Sequence, residues 1–158
     1  MFHDAVYVCD AGAGAGAGAR AGARSNEAQS AVAARTQLAD VATLEGLSLD
    51  VVAALIEKTA LHADPRMPGL ADTWTADERL FVDIDAGILG AAPADYDRYA
   101  AQIRAEYGFV PAELYAAGRG HFLTAMLARS PIFLTDALAP LEACARANLA
   151  RELDALGG

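Results

Sequence analysis

The sequence predicts an all-α fold, and three observations predict it. Hydrophobic residues make up 54% of the 158 residues, with Ala and Leu foremost, and these are the strongest helix formers. Aromatic residues are only 7%, and the β-branched runs that favour strands are scarce. Helix start and stop signals recur along the chain, with no alternating strand pattern competing.

The elements follow from those signals. A helix is expected from Asn26 to Glu45, ending at Gly46, a residue suited to a left-handed cap. Ser48 can cap "LDVVAALIEKTALH", where Asp50 suits the N-terminal dipole and the turn at Pro65 and Pro68 forces an end. Thr75 and Glu78 fit a capping box for a helix running to Gly90. Pro93 opens "ADYDRYAAQIRAEY", which closes at Gly108. Pro111 repeats the device for "AELYAAGRGHFLTAMLAR", interrupted by Gly118 and Gly120, and Thr135 can cap a last helix from about Asp136 to Leu156. Residues 11–25, mostly Ala and Gly, carry too few large side chains to offset ordering entropy and are expected to form a flexible loop. The length suits a single domain, residues 1–158, large enough to bury a core without staples.

Composition removes several function classes. The formal charge of −9 sets the surface against phosphate backbones, so polymeric nucleic acid is not an expected partner. Cys9 and Cys144 have neither the number nor the spacing of a disulfide framework or zinc motif, which suits reduced thiols in a cytoplasmic protein. No apolar stretch reaches the roughly 20 residues that cross a bilayer, so no membrane partner is expected.

Helical phase then picks out inward polar groups. At 100° per residue, Leu80, Phe81, Val82, Ile84, Ile88 and Leu89 define one broad apolar face; Asp85 falls within it and Asp83 nearly opposite. A carboxylate on such a face must pair with a cation, cap a helix, shift its pKa or bind metal. Val51, Val52, Leu55 and Ile56 define a second face that also carries Thr59 and His62, with Glu57 pointing away. His62 is expected inward, as a satisfied core histidine or a ligand. His3 and Asp4 are adjacent, and one ion can lie between their side-chain directions.

The chain resembles the predicted phosphohydrolases of the HD superfamily, a group of bacterial metal-dependent enzymes. The resemblance is carried, in order, by "FHDAVY", "NEAQSA", "LIEKTALH", "VDIDAGILGA", "YDRYAAQIRAEY", "YAAGR", "MLARSPIFLT" and "ARANLARELDAL". These segments span nearly all of the chain outside the Ala-Gly run. The resemblance implies an HD-domain-like helical bundle in which His3, Asp4 and Asp85 are metal ligands and His62 a further ligand or phosphate contact. The early helix that carries the superfamily's first His has no counterpart before His3, so the bundle is expected to be N-terminally truncated. Glu27, in the "NEAQSA" segment, would orient water or a ligand, while Arg104 and Arg119 would bind phosphate through bidentate hydrogen bonds. For all three, a solvated acid or ordinary ion pairing is the plainer alternative.

The implied activity is metal-assisted hydrolysis of a phosphate ester by activated water, on a small phosphorylated substrate for which a nucleotide is the superfamily-level choice. Imidazole and carboxylate ligands suit manganese, iron, nickel, cobalt, magnesium or zinc. The rival expectation is a catalytically impaired helical remnant, acting at most as a metal-binding or interaction module because the first ligand is missing.

Overall fold

The computed structural model describes residues 5, 25–40, 43, 48–61, 64 and 66–157. Among these residues the fold is all-α, with no strand. The α-helices are α1 (Asn26–Gln37), α2 (Leu49–Lys58), α3 (Met67–Leu70), α4 (Ala76–Asp85), α5 (Pro93–Glu106), α6 (Ala112–Ala128) and α7 (Glu142–Gly157). Short 3-10 segments follow α2, α3 and α4 and precede α7. No described helix is long and apolar enough to cross a membrane. The chain divides into two compact units, one holding α1 and α2 and the other α3 to α7.

In the first unit, Ser25 and Ser48 cap the two helices, their hydroxyls accepting from the Ala28 and Val51 amides at 3.2 and 3.4 Å. The helices pack through Ala31, Ala34, Ala53 and Ile56, all nearly fully buried. Small side chains let the two backbones approach closely. The α1 helix ends at Gln37, where Leu38 packs against this cluster, and residues 39, 40 and 43 are helical again. The expected apolar face of α2 is corrected at Val51: it is 55% exposed, and Ala53 takes the inward position beside Ile56 and Thr59. Arg35 pairs with Asp50, tying the last turn of α1 to the first of α2. Of the expected loop 11–25, all but Ser25 lies outside the described residues.

In the second unit, the Thr75 and Glu78 capping box forms in both directions, at 3.3 and 2.8 Å, and Pro93 occupies the first turn of α5. After Asp85 the helix tightens into the 3-10 segment Ala86–Gly90. Gly118 and Gly120 do not break α6, which runs through both. The core gathers Leu89, Tyr96, Leu123, Met126, Ile132, Phe133, Ala145 and Leu149 from α5, α6, α7 and the segments before them. Leu123, Met126 and Leu149 are fully buried, so truncating any one of them to Ala would cost about 2–5 kcal/mol.

The last helix differs from its expected start. Thr135 does not cap it; its amide and hydroxyl turn toward Asp83 instead. Residues 139–141 form a 3-10 turn in whose first turn Pro140, with no N–H to donate, is tolerated, and α7 begins at Glu142. The Ser130–Pro131 peptide bond in the preceding connection is cis.

Candidate functional site

The described part of the candidate site is built around the two acids of "VDID" at the end of α4, and the structure reverses their expected environments. Asp83 is 1% exposed, whereas Asp85 is only half-buried. Ile84 and Ile88, assigned to the inward face, are 52% and 37% exposed. The apolar wheel failed here because a backbone segment distant in sequence covers the polar side of α4. It supplies the hydrogen bonds that make a buried carboxylate tolerable.

That segment is residues 132–135. Asp83 Oδ1 accepts from the Leu134 amide at 2.8 Å, and Oδ2 accepts from the Thr135 amide at 2.8 Å and the Thr135 hydroxyl at 2.5 Å. Glu142, in the first turn of α7, accepts from the Ile132 amide at 3.1 Å and the Phe133 amide at 3.2 Å. Four successive backbone N–H groups thus meet two carboxylates. Arg146 holds Glu142 at 2.7 Å and donates to the carbonyls of Leu127 and Arg129. Arg129, also 1% exposed, donates to the Ile132 carbonyl at 2.6 Å and lies against the sulfurs of Met67 and Met126. Burial pulls its guanidinium down to about 10, while the nearby Asp83 and Glu142 favour the charged form.

Beyond Asp85, the 3-10 segment is held from α7. Asn148, fully buried, donates to the carbonyls of Leu89 and Ala91, each at 2.9 Å, and the Cys144 thiol donates to Ala91 at 3.1 Å. Gly90 lies so close to Leu141 that a Cβ there would meet the Leu141 Cβ at 2.6 Å. The backbone on both sides of Asp85 is therefore pinned by buried polar groups.

The two arginines singled out by resemblance are engaged inside the protein. Arg119, 8% exposed, makes a bidentate pair with Glu152 at 2.7 and 2.9 Å, beside the rings of Tyr99 and Phe122. This ion pair is buried rather than at the surface. Burial, the largest single effect, opposes the Arg119 charge, but the hydrogen bond to Glu152 together with the electrostatic influence of Tyr99, Glu152 and Tyr96 outweighs it and raises the guanidinium above its ordinary range. Tyr96 also donates to Glu152, and burial followed by that bond pushes its phenol well above 10. Arg104 donates to the Tyr107 carbonyl at 2.7 Å and the Val110 carbonyl at 3.4 Å while lying over the Tyr115 ring, which closes the end of α5 onto α6. Glu27 is half-buried in the first turn of α1. His121 is exposed on α6.

His3, Asp4 and His62 lie outside the described residues. Among the described residues, no group of three or more His, Cys, Asp or Glu side chains could hold a metal ion. The donor set that the resemblance implies, one imidazole and two carboxylates, is chemically suited to a divalent ion, and Asp85 is its described member.

Asp83, Glu142, Arg129 and Asn148 were not singled out from the sequence. One signal for the two acids was present: four amides following Pro131, in a segment with no helix signal of its own, require acceptors. No protein-family model, curated protein or solved structure matches the chain.

Proposed function

We propose that the chain is a cytoplasmic metal-dependent phosphohydrolase acting on the ester of a small phosphorylated substrate, with His3, Asp4 and Asp85 as its metal ligands and His62 as a further ligand or phosphate contact. The resemblance of the eight ordered segments to the HD superfamily supports this. The observation that carries it is the placement of Asp85 at the end of α4. Asp85 is half-buried there, and the backbone that follows it is held by Asn148 and the Cys144 thiol.

When bound, a divalent ion supplies a lowered pKa for water and offsets charge on phosphoryl oxygens. The residues of the chain would orient that chemistry. Asp85 and Asp4 provide anionic oxygen donors and His3 a neutral nitrogen, while Glu27 would orient water. Arg104 and Arg119 hold the helices together, so binding of the phosphate falls to the metal ligands and His62 in this proposal.

The engagement of both arginines favours a second reading, a non-catalytic helical module, because two expected phosphate donors face protein partners. Manganese binding by calorimetry and hydrolysis of p-nitrophenyl phosphate separate the two, measured beside His3→Ala and Asp85→Ala. The enzyme reading expects saturable Mn²⁺ binding and activity, each falling by about 100-fold or more in both variants, since even outer partners of metal ligands are worth about 10–100-fold. Equal metal content and activity in all three proteins would refute it in favour of the helical module.

A further inference from the structure

Asp83 and Asn148 are buried polar groups: the donors to Asp83 come from the segment packed against α4, and Asn148 donates to carbonyls beyond Asp85 while accepting from Arg151 on its own helix. Asp83 stands two residues before Asp85, and Asn148 grips the carbonyls four and six residues after it. Resting on the proposed metal role of Asp85, we propose that Asp83 and Asn148 are positioning residues, which set the direction in which Asp85 is presented to a divalent cation.

The geometry gives the reason. Residues two apart on a helix point about 200° from each other, so fixing the direction of Asp83 fixes that of Asp85 on the other side of α4. A carboxylate lies roughly 5–6 Å from the helix axis, so a rotation of only about 10° would carry it about 1 Å. Metal ligands tolerate about 0.2 Å. Three directional donors converging on Asp83 oppose such a rotation in addition to the packing of α4. Rotation is not the only freedom at this point, because α4 tightens into the 3-10 segment directly after Asp85. Asn148 holds that segment through Leu89 and Ala91, and the contact of Gly90 with Leu141 leaves it no room to slide. Glu142 completes the arrangement by anchoring residues 132 and 133 to α7, so the frame that holds Asp83 is itself fixed.

The test uses the full chain and Mn²⁺ alone, with free Mn²⁺ read by electron paramagnetic resonance and folding followed by circular dichroism. Asp83→Asn keeps the shape but turns an NH₂ group toward the Thr135 donors. Asn148→Ala removes both grips on the 3-10 segment, and Thr135→Val removes only the hydroxyl donor to Asp83. Glu152→Gln, in the separate polar cluster on α7, is the control for destabilisation as such. The expected result is a Kd for Mn²⁺ weakened by about tenfold or more in Asp83→Asn and Asn148→Ala, and by less in Thr135→Val. Glu152→Gln should melt earlier yet bind Mn²⁺ like wild type. If Asp85→Ala abolishes binding while the Asp83 and Asn148 variants bind normally, the positioning role is overturned and the ligand role of Asp85 stands. Should Asp83→Asn fail to fold, an unchanged Kd in Thr135→Val overturns it equally. Identical binding by wild type and Asp85→Ala overturns both.

Discussion

Replacing Arg119 with Met separates a structural arginine from a phosphate-binding one. The guanidinium makes two charge-assisted hydrogen bonds to Glu152, at 2.7 and 2.9 Å, with the side chains only 8% and 12% exposed. Removing it leaves the Glu152 carboxylate in a largely dry site with the Tyr96 hydroxyl as its remaining described donor. Breaking one partner of a buried pair costs about 3–5 kcal/mol. Met retains the apolar stem but loses the cation–aromatic contacts with Phe122 and Tyr99, at 5.0 and 5.6 Å, worth roughly 0.5–1 kcal/mol each. Some relaxation and water entry will offset part of this, so a loss of about 3–4 kcal/mol is expected. With a urea dependence of about 2 kcal/mol per molar, the midpoint should fall by about 1.5–2 M, read by circular dichroism at 222 nm. The double variant Arg119→Met/Glu152→Leu should recover most of the loss, because an apolar replacement of both charges removes the unpaired carboxylate. A midpoint change under about 0.5 M, or a double variant no better than the single, would refute the reasoning. A phosphate-binding arginine would instead leave the midpoint unmoved and raise KM.

Two further outcomes are expected. Gly90→Ala places a Cβ at 2.6 Å from the Leu141 Cβ and 3.1 Å from its carbonyl oxygen, so backbone must move; a cost of about 1–3 kcal/mol should appear as a melting temperature lower by roughly 2–12 °C, and an unchanged temperature would contradict the close approach. Tyr96 has its phenol pushed up by burial and then by Glu152, so the folded state keeps this proton at pH values where the unfolded chain releases it. Its contribution is complete below pH 10 and is lost as pH rises from there toward the raised folded value. Arg129 acts in the opposite sense, since its burial cost is relieved as pH rises through about 10. The difference in stability between wild type and Tyr96→Phe, followed by urea titration from pH 8 to 11, should therefore shrink above pH 10; a constant difference would contradict a proton held by Tyr96.

What was legible in the sequence is what neighbouring residues decide together. Ser48, the Thr75 and Glu78 capping box and the Pro93 start are all realised, because a cap joins groups at most three or four residues apart and its energetics do not depend on the rest of the chain. The all-α class followed for the same reason, from propensities summed over local windows. The site was legible only in part. The amides that bury Asp83 come from Leu134 and Thr135, some 50 residues away, and a wheel drawn on α4 alone holds no information about them. Separation in sequence likewise hid the partner of Arg119, Glu152, 33 residues on, and turned Thr135 from an expected helix cap into a donor to Asp83. Residue type told that the acids and arginines of this chain need partners. Tertiary structure decided which partner each one has, because burial removes water as the default partner and leaves only the groups that packing brings within about 3 Å.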